Sequence, residues 1–324
     1  MAHINGFTID PPLVNTSCAW ASEESQLQEL YDCPYTGAVT TRTACGIDVA
    51  DAFDQKEGVH GVRSATSINT YGYSPHSLKE YLSYVDKILS AAPNGRVKPF
   101  IVSLTATSPE ILDVMISKVQ TLRETHPNVG IELNTSCPNV GHPPSAYAYA
   151  NCTTPAEYNA SELGGLIAVF QRARAADPTL AIGLKLSPFV YAQQITAFVR
   201  GLASLGAANP VAFLTCTNTL GNSFLPASVL SGYQGAGMDG KDMFGGLAGE
   251  AIHSLSLGNV AGFRKALDAS CPEVAKVEII GAGGVTTADA ARRMYDAGAS
   301  VVGCATLLGK AGIGAFKLLT PGSS

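Results

Sequence analysis

The stretch ELNTSCPNVG, Glu132 to Gly141, sets one thiol, Cys137, between two amides, Asn134 and Asn139, directly after an apolar run with strand character. A thiolate can take a proton, and a side-chain amide both donates and accepts hydrogen bonds. Other polar residues stand at or near the ends of other apolar runs: Lys185, the pair Asn218 and Thr219, the glycines Gly283 and Gly284, and Thr306. Asn69 lies in a longer, irregular segment. A lone lysine at a strand end is ordinarily a solvated charge, so the weight falls on what could bring all of these together.

The elements that must position them are short β-branched or apolar runs beginning at Pro11, Ala38, Pro99, Val129, Ala181, Val211, Val277 and Ser300. Helix-like stretches lie between them, for example from Ser108 and from Thr287. Strands alternating with helices imply a parallel sheet. Eight such units fit an α/β fold closed as a (β/α)8 TIM barrel better than an open doubly wound sheet. A barrel carries every strand's C-terminal end to one rim, which is where active sites of this fold sit. Two segments exceed a minimal barrel: about residues 46–82, containing SINTYGYSPHS, and about residues 139–161. Both would be long active-site excursions at the C-terminal face. No linker or low-complexity stretch divides residues 1–324, so a single domain is expected.

IIGAGGV followed by TTADAARRMYDAGA, and then VVGCATLL, places small residues where two late strands lead into helices. Backbone N–H groups there can cradle a phosphate. The spacing is not that of a G-x-G-x-x-G dinucleotide fingerprint, which disfavours a Rossmann fold.

Composition narrows the partners. A net charge of −5, with no basic run, argues against nucleic acid. No apolar run approaches the roughly 20 residues that span a bilayer, and the N-terminus MAHINGFTID has no signal-like apolar core. The 8 cysteines form no C-x-x-C pair, so no metal site is expected. The sequons at Asn15, Asn134, Asn151 and Asn159 read as accidental, and the compartment as reducing cytoplasm.

ELNTSCPNVG, together with IGLKLSP, TCTNTLGN, KDMFGGLAG and IIGAGGV, resembles the dihydroorotate dehydrogenases, in particular their soluble class 1A, fumarate-using branch. The resemblance runs in order from about residue 5 to the C-terminus. It implies FMN as cofactor, oxidation of dihydroorotate to orotate, a fumarate-like acceptor and a homodimer. Cys137 takes the place of the catalytic base. Asn69, Asn134, Asn139, Asn218 and Thr219 match the groups that hold the pyrimidine, and Asn134 is shared with the flavin. Lys185 matches the flavin lysine. Thr217 and Gly249 match flavin-contacting positions, while Gly283, Gly284, Ala305 and Thr306 match the phosphate cradle. In that family's reaction the substrate gives a proton to the base and a hydride to the flavin on its opposite face.

The departures gather at the pocket wall. Thr41, Arg42 and Thr43 stand where the family has Thr-Lys-Ser. Arg42 therefore replaces a lysine that touches flavin and substrate, and it keeps a positive charge available for a carboxylate. Tyr71 and Tyr73, either side of Gly72, replace aliphatic residues of the family's loop. Thr16, Ser17 and Cys18 follow Asn15 where the family turn ends in glycine, and Ala305 also stands for a glycine. These changes leave open a related FMN-dependent oxidoreductase acting on another cyclic enone, imide or dihydropyrimidine.

Overall fold

The computed structural model describes residues 1–48, 58–61, 65–93, 98–136, 145–236 and 242–320. Cys137 and Asn139 lie outside the described residues. The eight apolar runs become eight parallel strands: β1 (Leu13–Asn15), β2 (Val39–Thr40), β3 (Phe100–Leu104), β4 (Val129–Asn134), β5 (Ile182–Leu186), β6 (Phe213–Cys216), β7 (Glu278–Ala282) and β8 (Val301–Cys304). They pair in the order β1-β8-β7-β6-β5-β4-β3-β2. The ring closes between β1 and β2 through the bridge of Val14 with Ala38. Strands buried on both faces read as near-continuous apolar runs, which is why these were legible.

Helices cover the outside. The helix Pro109–Arg123 starts at Ser108, whose hydroxyl accepts from the Ile111 N–H at 3.4 Å, with proline at its first turn. It buries Leu112, Met115, Ile116 and Val119, a spacing of three and four that keeps one face on the sheet. The helix Ala288–Asp296 is capped in the same way by Thr287.

The floor is plugged. An antiparallel hairpin, Ala2–Ile4 with Phe7–Ile9, packs its apolar side against Val14, Ala38, Ile101, Ala181 and Phe213 inside the barrel. Gly130 makes room for it, since a Cβ there would lie 2.7 Å from the Phe7 ring.

The seam between β1 and β2 is the thinnest part of the ring. Apart from the bridge, Gly37 N–H bonds Leu13 O at 2.9 Å, in a backbone approach so close that a Cβ on Gly37 would fall 2.0 Å from Pro11 O. The rest of the ladder is supplied by a side chain. Asn15, fully buried, donates to Thr40 O at 2.6 Å and accepts from Thr40 N–H at 2.9 Å.

Over the barrel mouth lies a second, five-stranded antiparallel sheet that the sequence reading did not foresee. Its order is Leu220–Leu225, Met243–Gly249, Thr66–Asn69, Gly58–Gly61 and Tyr233–Ala236. The excursion after β2 was expected to be irregular; it pairs instead with a second excursion, after β6. The third excursion, after β4, folds beyond residue 144 into two short helices, Ala146–Ala150 and Pro155–Ala160.

Asn15→Ala would leave the Thr40 N–H and C=O unpaired in a dry seam. Unfolding free energy should fall by about 2–4 kcal/mol, one to two per orphaned group. Urea unfolding followed by tryptophan fluorescence measures it; a change below about 0.5 kcal/mol, the size of an ordinary surface substitution, would show that the clamp is dispensable.

Candidate active site

Every described residue singled out from the sequence for the site lines one cavity of about 950 Å³, open mouth included, between the barrel rim and the overlying sheet. β1 contributes Thr16 and Ser17, and β2 contributes Arg42 and Thr43. Asn134 comes from β4, Lys185 from β5, and Thr217, Asn218 and Thr219 from the end of β6. The overlying sheet and its loop supply Asn69, Tyr71, Gly72, Tyr73 and Gly249. Gly283, Gly284, Ala305 and Thr306 close the far end. The sequence reading missed Trp20, Ser67, Ala248 and Ile252 as lining residues. None of them carries a strand-end signal.

Lys185 is 5% exposed, and its Nζ donates to Ser17 O at 3.0 Å, which ties β5 to the loop after β1. Asn134 donates to Thr43 Oγ1 at 3.0 Å, while its Oδ1 accepts from the Ser136 N–H at 3.1 Å and from Asn218 Nδ2 at 3.3 Å. The two amides therefore hold each other in fixed orientations, with Asn218 Nδ2 also reaching Ser136 Oγ at 3.0 Å. A planar ring carrying carbonyl and N–H groups meets matching acceptors and donors here.

The far end is built from backbone. Gly283 and Gly284 have φ of 118° and 68°, the left-handed region that favours glycine, and with no side chains they leave their backbone open to a ligand at the cavity wall. Both are obligatory on space as well. A Cβ on Gly283 would fall 2.0 Å from Ser256 Oγ, and one on Gly284 would fall 2.6 Å from His253 Cβ. Gly249, at φ 75°, lets the sheet's last strand turn, since a Cβ there would lie 1.7 Å from Ala65 O. Arg293 Nε donates to His253 Nε2 at 3.2 Å, so His253 Nδ1 carries the proton it gives to Gly283 O at 2.9 Å. That holds the Gly283 backbone in place from behind.

The wall is where this chain differs. Arg42 is 6% exposed, and its guanidinium donates to Gly72 O at 3.2 Å and Ser22 Oγ at 3.4 Å. Part of the fork is thereby engaged in tying two loops together, while the guanidinium keeps its positive charge at the cavity wall. Trp20 and Tyr71 meet edge to face at 5.9 Å. Cys18, near Lys185 and Arg42, has its thiol pushed up to about 11 by burial, so it is protonated at neutral pH. Cys216 and Cys304 are buried thiols, held neutral in the same way. Among the described residues no cluster of ligands could hold a metal ion.

Comparison with known proteins agrees with this geometry. Residues 4–321 match the family model described as dihydroorotate dehydrogenase. A probable dihydroorotate dehydrogenase A (fumarate) of Streptococcus pneumoniae is 30% identical over 322 residues, covering 98% of this chain and 89% of the relative. A putative one of Streptococcus agalactiae is 28% identical over 319 residues, covering 97% and 89%. The crystal structure of the Eimeria tenella dihydroorotate dehydrogenase in complex with ferulenol superposes with a TM-score of 0.71 at 17% identity, covering 98% of this chain and 82% of that one. That likeness speaks for the barrel fold. With a family model spanning nearly its whole length, the chain belongs to the dihydroorotate dehydrogenase family.

Proposed function

We propose that this protein is an FMN-dependent enzyme that oxidises (S)-dihydroorotate to orotate and passes the electrons to fumarate or a similar acceptor. The observation that carries this reading is the shared cavity, which brings together mutually oriented amides, a buried lysine and a pair of left-handed glycines, Gly283 and Gly284. A flavin mononucleotide has that shape, a planar polar ring system joined to a terminal phosphate. The residues fit it. Gly283, Gly284, Ala305 and Thr306 would hold the phosphate. Thr16, Ser17, Arg42, Thr43, Thr217 and Gly249 would line the rest of the cofactor, with Asn134 and Lys185 at its ring.

FMN, when bound, supplies hydride-accepting chemistry. The chain's own part is to bind, orient and take a proton. Asn69, Asn134, Asn139, Asn218 and Thr219 would hold the substrate ring, with Tyr71, Gly72 and Tyr73 as its wall. Cys137 would take the proton from the ring carbon. A free thiol has a pKa of about 8.5, so turnover should climb as pH rises toward that value unless the site lowers it. Lys185 would oppose the negative charge that develops on the ring system beside it. The names of the Streptococcus relatives support fumarate as acceptor.

Arg42 favours one competing reading, a related oxidoreductase with a different cyclic substrate, because its guanidinium is partly engaged by Gly72 and Ser22. As a unit we place the chain as one domain in the cytoplasm, acting as a homodimer on small molecules, with neither membrane nor nucleic acid as partner. No helix among the described residues is long and apolar enough to cross a membrane. The exposed pair Phe224 and Phe244, 4.7 Å apart on the overlying sheet, is a surface a second copy could cover. Sedimentation tests the dimer.

Anaerobic mixing with dihydroorotate should bleach the flavin band. Cys137→Ala should keep FMN and slow that bleaching roughly 10²- to 10⁴-fold, the worth of a positioned base. A wild-type protein that stays yellow on mixing would defeat dihydroorotate as substrate, and near-normal bleaching in the variant would remove Cys137 from the reaction.

Arg42→Lys discriminates the two readings. It should keep or raise dihydroorotate oxidation if Arg42 stands in for the family lysine. Loss of that oxidation would mean the fork's two directed hydrogen bonds are needed, as a reshaped pocket requires.

Gly283→Ala should abolish the preference for FMN over riboflavin, because strain and the clash with Ser256 distort the backbone there while leaving the ring end intact. Flavin fluorescence quenching on the apo protein reads both affinities; an unchanged ratio would put the phosphate elsewhere.

A further inference from the structure

Beneath the two amides and the lysine lies a carboxylate that the reaction as described does not use. Glu132 is 2% exposed and projects into the barrel from β4, one inward position below Asn134. Its Oε2 accepts from Thr215 Oγ1 at 2.6 Å and its Oε1 from Ser103 Oγ at 3.2 Å. Both donors come from register: Ser103 sits beside Glu132 across β3 and β4, and Thr215 beside Lys185 across β5 and β6. No cation among the described residues forms an ion pair with Glu132; the positive charge that acts on it is that of Lys185.

An ionised carboxylate can only accept hydrogen bonds. Taken as the ionised form, Glu132 sets the direction of the hydroxyls above it. Ser103 donates to Glu132, so Ser103 Oγ must accept from Thr43 Oγ1, 3.0 Å away. Thr43 has one proton, now committed downward, and must accept from both Ser17 Oγ at 2.9 Å and Asn134 Nδ2 at 3.0 Å. The amide of Asn134 is thereby fixed with its nitrogen toward Thr43 and its oxygen toward Ser136 and Asn218. Ser17 in turn is left with its lone pairs facing the cavity.

We propose that Glu132 is a positioning residue for the flavin reaction: as an acceptor-only anion it polarises the Ser17–Thr43–Ser103 chain, fixes the Asn134 amide and balances the charge of Lys185, which lowers the reduction potential of the bound flavin. This rests on the FMN reading given above.

Burial works against such a charge. It raises the carboxyl pKa, with the Lys185 charge and the two hydroxyl donors opposing the shift. A carboxyl whose folded-state pKa is raised gives most stability at pH below its unfolded value and loses it as pH climbs, so an ionised Glu132 costs the fold stability. An apolar residue of the same shape would serve folding better, and an acidic side chain held here by two hydroxyl donors beneath Lys185 points to function.

Glu132→Gln tests it, since the shape is kept, the charge is lost and a donor stands where an acceptor was. Spectroelectrochemical titration should show a more positive midpoint potential for the bound flavin, because removing a nearby negative charge favours the electron-rich form. Glu132→Asp should return the potential toward wild type. A Glu132→Gln potential equal to or below wild type overturns the proposal. Ser103→Ala is the second arm, and it decides if the glutamine variant does not fold. It cuts the hydroxyl chain and leaves the carboxylate, so FMN uptake by the apo protein should weaken roughly fivefold, the worth of about one hydrogen bond, at an unchanged potential. Unchanged uptake overturns the chain. Wild-type protein that takes up no FMN defeats the cofactor reading instead, and that is seen before any variant is made.

Discussion

The rim of this barrel depends on one side chain closing one seam. Asn15 replaces backbone with amide where β1 and β2 come together, giving Thr40 both halves of a ladder hydrogen bond. Thr16, Ser17 and Cys18 follow Asn15 directly, and Thr41, Arg42 and Thr43 follow Thr40. A single clamp thus sets the spacing of two wall segments that would otherwise be free to splay. The Ser17–Thr43 hydrogen bond at 2.9 Å carries that spacing further up, two residues beyond Asn15 and three beyond Thr40. A side chain suits this place because the strands are too short to pair fully, Val39–Thr40 being only 2 residues long.

From the clamp upward, the barrel interior changes from apolar to polar in a single step. Phe7 and Phe213 fill the floor. Ser103, Glu132 and Thr215 form the next inward layer, and Asn134, Lys185 and Thr217 stand at or just below the mouth. The polar layer is dry, so its groups satisfy one another rather than water. Low local polarity strengthens each of these bonds and makes their direction matter. Side-chain orientation at the mouth is in this sense inherited from below.

Much of this was legible in the sequence, for a physical reason. Parallel strands buried on both faces leave continuous apolar runs, and polar residues at the ends of such runs, Lys185 and Asn218 among them, have few reasons to be there other than a rim. The overlying sheet was not legible. Its strands are partly exposed, as in Leu220–Leu225, and they pair across very long separations, as Asn69 does with Gly246. No local pattern encodes such pairing. For Arg42 the sequence shows the residue type but not that Gly72 O accepts a hydrogen bond from it. Glu132 was hidden inside the motif that drew attention for its thiol. Its side chain points into the barrel below Asn134, and only the register with Ser103 and the hydrogen bond from Thr215 bring its surroundings into view.

The overlying sheet has a consequence for anyone remodelling this enzyme. Thr66–Asn69 runs into the loop holding Tyr71 and Tyr73, and it is zipped along its length to Met243–Gly249 from the other half of the barrel. Gly245 and Gly249 are glycines because the opposing backbone leaves no room for a Cβ, only 2.4 Å from Asn69 O and 1.7 Å from Ala65 O. The two segments are therefore one inherited part, cut from a single template. A specificity loop borrowed from a relative will seat only if its partner strand is transplanted with it, and natural divergence at one should leave matching changes at the other.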